Sequence, residues 1–250
     1  MRNPNGFTLA EVLITLGVIG IVAAMTIPTL IANIKGAQYR TKFKKVISTL
    51  SNAARMSQEQ YGFDFAGIDN RCNANSATDN PEEKHTICSL LNGTLQSSTY
   101  YYGLNKLPNY KFTSESFENM DSMKNSQNRI PIYQLQDGSL IMFSSILGDS
   151  TSPISRACSR AIGANAGIVG NGEFAGFGTG CYGLIDVNGT SGPNKEVKCS
   201  KGTNKLSNIR GAGDCTVDKK DIGDIFPILI YDGIVEPRSS AAWYVFNSTK

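Results

Sequence analysis

Residues 6–34 read GFTLAEVLITLGVIGIVAAMTIPTLIANI, and this stretch decides the architecture. From Val12 to Ile34 there is no charged side chain. At about 1.5 Å per helical residue, the run is long enough to cross the roughly 30 Å hydrocarbon core of a bilayer. An ordinary secretory signal has a shorter apolar core of about 7–15 residues, followed by a small-x-small cleavage site. Here the polar lead-in is short and ends at Gly6, and a carboxylate, Glu11, sits just inside the apolar segment. A charge near the lipid core costs several kcal/mol unless it is paired, so Glu11 is a functional candidate on physical grounds. Cleavage after Gly6 would give Phe7 a free α-amine one helical turn from Glu11. That amine, on the same chain or a neighbour, is the partner the carboxylate otherwise lacks.

Gly6-Phe7-Thr8-Leu9-Ala10-Glu11 resembles the recognition sequence of type IV prepilins and of type II secretion pseudopilins. The resemblance covers residues 5–32. It implies cleavage between Gly6 and Phe7, N-methylation of Phe7, and Glu11 as the assembly residue, with Pro28 where many pilins carry a helix-kinking proline. The implied partners are a prepilin peptidase, other pilin or pseudopilin subunits, an inner-membrane assembly platform and the lipid bilayer. The implied location is a single-pass bacterial inner-membrane precursor with its head in the periplasm or exterior, and then a pilus or pseudopilus filament. A plain signal anchor is the alternative. The resulting division is a leader over 1–6, an N-terminal helix over 7–62 (transmembrane over about 9–32), and a pilin-like head over 63–250.

One feature of the charge pattern opposes that orientation. Lys35, Arg40, Lys42, Lys44 and Lys45 follow the apolar run, whereas the leader offers only Arg2 and the starting amine. A positive-inside count would leave the C-terminal part in the cytoplasm. The processing site and the cysteines point the other way.

The helix is predicted to continue past the membrane over 8–61. Phe43, Val46, Ile47, Leu50, Ala53, Ala54 and Tyr61 recur at three-four spacing among polar residues, and Gly62 is a fitting stop. Pro28 and Gly36 are the expected bends, and two helices broken near Gly36 are the alternative. Residues 63–129 read as a polar loop region in which His85 belongs to a solvated charge run. Tyr100-Tyr101-Tyr102 fits a strand or an exposed adhesive patch, with the strand favoured. A sheet is expected from near Ile130, with Asp137-Gly138 and Asp232-Gly233 as two-residue hairpin turns and Cys181–Val187 as a strand ending at Asn188-Gly189. The expected fold class is therefore α+β: a long N-terminal helix packed on the one apolar face of an antiparallel sheet.

Cys72, Cys88, Cys158, Cys181, Cys199 and Cys215 are widely spaced, and only one histidine accompanies them. This argues against a Cys/His zinc site and for disulfides in an oxidising space. Sequence alone permits about 15 pairings. Neighbour pairing (72–88, 158–181, 199–215) closes the shortest loops; reduced, buried cysteines are the alternative.

The glycine-rich residues 163–183 match neither a dinucleotide nor a phosphate-loop motif. They are expected to form a surface loop stapled by Cys158 and Cys181.

Asp186-Val187-Asn188-Gly189-Thr190-Ser191-Gly192-Pro193-Asn194 resembles a DxNGxxGPN stretch of many pseudopilin-like proteins, in which a GxDxF-like stretch soon follows. Here Gly223-Asp224-Ile225-Phe226 is that counterpart, displaced by an intervening segment that contains Cys199 and Cys215. An insertion closed by its own disulfide accounts for the gap. Oxygen-rich loops can hold calcium, and Asp186, Asn188 and Asp224, with Asp218 and Asp221, are the candidate ligands. A purely structural turn is the competing reading; no other cofactor is implied.

A net charge of +3, with no basic block interleaved with aromatics, gives no basis for specific nucleic-acid binding. There is no nucleophile elbow and no HExxH motif, so enzymatic chemistry is not expected; an anchored exported enzyme is the remote reading. What remains is a structural filament subunit, or a minor, tip-located pilin whose loops act as an adhesin or substrate-binding module.

Overall fold

One helix, α1, runs unbroken from Leu9 to Tyr61 in the computed structural model of the chain, which describes residues 6–68, 70–96, 98–111, 113, 116, 127–143, 181–205, 211–219, 221–231 and 233–248. Its 53 residues make a rod about 80 Å long. Thr8 caps the N-terminus reciprocally with Glu11. Gly62 ends it with φ +78°, its N–H donating 3.2 Å to the Gln58 carbonyl. A side chain there would be strained, which is why the helix stops at this glycine. The helix runs unbroken past Pro28, whose missing N–H leaves out one bond of the ladder, and past Gly36, so the alternative of two helices broken near Gly36 is set aside.

The two halves of α1 meet different surroundings. The large apolar side chains from Phe7 to Ile34 are exposed, and the most apolar window of the helix is not buried at all. Beyond Gly36 the helix turns one face inward: Tyr39, Phe43, Val46, Ile47, Leu50, Ala53, Ala54 and Ser57 are buried at three-four spacing.

That face packs on a six-stranded antiparallel sheet whose strands neighbour one another in chain order. The strands are β1 (Thr99–Tyr102), β2 (Pro131–Gln134), β3 (Leu140–Phe143), β4 (Cys181–Asp186), β5 (Ile225–Tyr231) and β6 (Ile234–Pro237). The register Ile141↔Ile185↔Phe226 puts one row of side chains under the helix, and Phe43 stacks on Phe226 with ring centroids 4.3 Å apart.

The opposite face is buried too, which differs from the expected half-solvated sheet. Ile132, Leu140, Met142, Leu184 and Ile225 form a second core, covered by Leu104, Leu107 and Tyr110 from the segment between β1 and β2 and flanked by Tyr101 of β1. The sheet is thus the middle of three layers. Strands buried on both faces read as continuous apolar runs rather than alternating ones, as LIMF in β3 and IFPILIY in β5 do.

Several local expectations change. Residues 63–129 are not only loop: a short helix, α2 (Ile87–Thr94), forms there behind a Thr86–Ser89 capping box and buries Ile87, Cys88, Leu90 and Leu91. His85 is half-buried and stacks on Phe63 with centroids 4.3 Å apart, so it is no part of a solvated charge run. The sheet begins at β1, before Ile130, with the tyrosine run forming its edge strand.

The β2–β3 turn is longer than two residues. The Leu135 N–H donates to the Ser139 carbonyl and the Gly138 N–H to the Leu135 carbonyl, with Gly138 at φ +82°. Asn188-Gly189 is no hairpin turn; it opens a short 3-10 turn, Gly189–Ser191, at the start of a long connection. The β5–β6 hairpin pairs Tyr231 with Ile234. A last helix, α3 (Ser240–Asn247), was not anticipated; it is capped by Ser239 and buries Ala241, Ala242 and Val245.

Disulfides join Cys72 to Cys88 and Cys199 to Cys215, with Cα atoms 5.8 and 5.3 Å apart. The expected 158–181 pair and residues 163–180 of the glycine-rich segment lie outside the described residues; Gly183, its last glycine, belongs to β4.

Candidate functional site

The sequence at the start of α1 sets its local geometry. Phe7 precedes the cap and is 89% exposed. The Thr8 backbone N–H and its hydroxyl each donate to Glu11 Oε2 at 2.8 Å, and the Glu11 N–H donates to Thr8 Oγ1 at 3.3 Å. The carboxylate is therefore folded back toward the chain terminus, on the side where an amine at residue 7 would appear. An anionic group here also faces the positive end of the helix dipole.

Three threonines of the apolar half satisfy their hydroxyls within the helix. Thr15, Thr26 and Thr29 donate their hydroxyls to the helix carbonyls of Val12, Val22 and Thr26 at 2.9, 3.0 and 2.8 Å. Such internal bonding is what a hydrocarbon surrounding requires.

The basic residues after the apolar run are divided. Lys42 Nζ donates to the Val187 carbonyl at 3.0 Å, Lys45 pairs with Asp137 at 2.9 Å, and Lys44 lies 5.7 Å from the centre of the Phe246 ring. Three of the five are thus turned onto the head. Lys35 remains exposed, and Arg40 is half-buried with its Nε unpartnered.

The DxNGxxGPN stretch and its displaced counterpart come together. Asp224 Oδ2 accepts from the Asn194 N–H at 3.0 Å, and Oδ1 accepts from the Lys195 N–H at 2.8 Å. The Ile225 N–H donates to the Lys195 carbonyl and the Val197 N–H to the Ile225 carbonyl. One buried carboxylate therefore pins both ends of the inserted segment. Asp186 Oδ1 accepts from the Asn188 and Gly189 N–H groups at 3.0 and 2.8 Å, and Oδ2 accepts from the Tyr110 hydroxyl at 3.1 Å.

Burial pushes the Asp186 carboxyl well above the usual carboxylate range, and the Asp224 charge pushes it the same way. Burial likewise raises Asp224, against the pull of its amide donors. Beside them, burial and the two carboxylates raise the Tyr39 hydroxyl to about 12.

Of the oxygen-rich set, Asp186, Asn188 and Asp224 meet at this junction, where the carboxylates order backbone amides. The Asn188 side chain donates to the Gly192 carbonyl. Asp218 and Asp221 lie elsewhere in the insertion, on a turn closed by the Asp221 N–H and the Asp218 carbonyl. Among the described residues no group of three or more His, Cys, Asp or Glu is placed to hold a metal ion.

Sequence reading missed Tyr110 and Ser116 at this junction, and it placed Asn194 in the motif without its bonds to the third layer. Ser116 Oγ donates to the Asn194 carbonyl, and Asn194 Nδ2 donates to the Lys111 carbonyl at 2.9 Å. Only the third-layer segment brings these groups to the sheet, so no local pattern signals them. The role of Gly36 was missed too: a Cβ there would stand 3.1 Å from the Lys219 carbonyl oxygen and 3.5 Å from Ile222 Cγ2.

Comparison with curated proteins and with solved structures finds no match for the chain. The N-terminus does match a described family, the prokaryotic N-terminal methylation motif, over residues 1–27. Over those residues the chain carries the prepilin-type cleavage and methylation motif of type IV pilins and pseudopilins.

Proposed function

We propose that this protein is a filament subunit of the pilin or pseudopilin kind, made as a membrane-anchored precursor with its head on the periplasmic or exterior side. The observation that carries this reading is the division of α1. The processing motif opens a helix whose first half is exposed and apolar, while its second half is the core of a disulfide-bonded head. In this reading a peptidase cuts between Gly6 and Phe7, and the new Phe7 amine is methylated. Glu11, already directed toward the terminus by Thr8, pairs with the amine of a neighbouring subunit. Helix–helix packing of the apolar halves then supplies most of the assembly energy.

The basic residues after the apolar run still oppose this orientation; the processing motif and the disulfides favour it.

Co-expression with a prepilin peptidase tests the reading. The intact mass should fall by Met1–Gly6 and rise by one methyl group, with sequencing from Phe7. A chain that stays uncut refutes it.

A second reading, as a minor or tip subunit, draws on the inserted segment. The described part of residues 195–222 is closed by the Cys199–Cys215 bond, fastened at its base by Asp224 and anchored in the main core by Val197 and Val217, so it is an integral addition to the head. Immunogold labelling at the filament tip alone supports this role; labelling along the whole length supports a major subunit.

A further inference from the structure

The inserted segment also meets α1, at the point where the apolar run ends. Gly36 is buried, and the Lys219 carbonyl oxygen lies 3.1 Å from where its Cβ would be. Ile222 Cγ2 lies 3.5 Å from the same point, and Ile222 packs on the main core. Absence of a side chain at position 36 is what allows the turn to sit this close.

The position of this contact along the helix is informative. From Leu9 to Gly36 the helix rises about 40 Å, close to the roughly 40–45 Å thickness of a bilayer with its headgroup layers. With the processed terminus at one face, Gly36 emerges in the headgroup layer of the other. Lys35 and Lys219 are both exposed at this level, and Arg40 lies one turn further along with its Nε unpartnered. The same turn carries Asp218 and Asp221, so basic groups from two separate elements meet the membrane boundary with acidic groups interspersed. Lys side chains at such a boundary reach phosphate oxygens while their stems lie along apolar surface.

We propose that the Lys219 turn is a second membrane contact, resting with Lys35 on the phosphate layer of the bilayer that α1 crosses and taking anionic phospholipid headgroups. This rests on the reading of α1 as a membrane helix. The insertion thereby fixes the tilt and rotation of the head above the membrane before assembly, and extraction into a filament must release it.

Amine footprinting of the full chain tests the contact. The protein is placed in detergent, in phosphatidylcholine vesicles and in vesicles that also contain phosphatidylglycerol. It is then acetylated briefly with a water-soluble succinimidyl ester, and labelling at each lysine is read by mass spectrometry. Lys106, exposed on the far layer of the head, is the reference. The Lys219-to-Lys106 labelling ratio should fall about fivefold on adding phosphatidylglycerol, the effect of one basic residue at an anionic surface, and recover in high salt.

In Lys219→Glu, whose contact with Gly36 runs through the backbone and is kept, protection of Lys35 should weaken. An unchanged ratio in a chain that resists alkaline extraction overturns the contact but leaves the membrane helix standing. Equal protection by phosphatidylcholine alone overturns the role of headgroup charge. Release of the chain by alkaline extraction overturns the membrane helix and the contact together.

Discussion

Asp186 and Asp224 show how a buried acid can be structural and still cost stability. Each accepts two backbone N–H groups, and Asp186 a tyrosine hydroxyl as well, which is why neither is left as an unsolvated charge. Burial nonetheless raises both carboxyls. A carboxyl that is raised on folding binds protons more tightly in the native state than in the unfolded one, so stability falls as pH rises through that window. The wild-type urea midpoint should therefore climb as pH is lowered from neutrality toward the ordinary carboxylate range. Asp186→Asn, which keeps the amide acceptor and can donate to Tyr110, should show a flatter profile and a higher midpoint at neutral pH. Parallel profiles for the two proteins would mean that Asp186 already ionises normally in the folded chain.

Among the elements, α1 and the inserted segment depend on each other at Gly36. A glycine in a helix interior is unfavourable by about 1 kcal/mol relative to alanine, so its presence calls for a packing reason. The Lys219 carbonyl supplies one, because a backbone atom cannot swing away as a side-chain tip can. Gly36→Val should displace the 217–223 turn and lower stability by about 1–3 kcal/mol, the usual cost of overpacking. Hydrogen exchange should show faster amides around Val217 and Ile222, with β2–β3 unchanged. An exchange pattern identical to wild type would mean that the turn makes no firm contact with the helix.

At the scale of the whole molecule, a three-layer head stands on a helix whose first half, among the described residues, is not buried by the rest of the chain. An exposed apolar rod of this length is soluble only in lipid or against other copies of itself. The Thr8–Glu11 cap keeps one charge at the end of that rod. In Glu11→Ala the apolar segment is unaltered, so membrane insertion should persist, measured by resistance to alkaline extraction. An amine left unpaired among packed helices costs several kcal/mol, so incorporation into sheared filaments should fall on the order of tenfold or more. Wild-type incorporation would remove Glu11 from the assembly contact.

Much of this protein was legible along the chain because the relevant physics is local. The apolar run, the carboxylate within it, the Gly62 stop and the three-four stripe from Phe43 to Ala54 each depend on near neighbours, and each stands where periodicity and capping place it. Neighbour pairing of Cys72–Cys88 and Cys199–Cys215 follows the same logic of short loops. The third layer was not legible as such, although the unbroken apolar runs of β3 and β5 hinted at two buried faces. Short helices such as α2 carry too few residues for periodicity to speak, so its Thr86–Ser89 cap was the only available signal. The convergence of Asp224 on Asn194 and Lys195, and of Lys219 on Gly36, belongs to tertiary structure alone. Sequence by itself determined that this chain has a processing motif, a membrane-length helix and an antiparallel head. Folding decided how the inserted segment is fastened and that its Lys219 turn lies against Gly36 of α1, because those contacts join residues that share no local pattern.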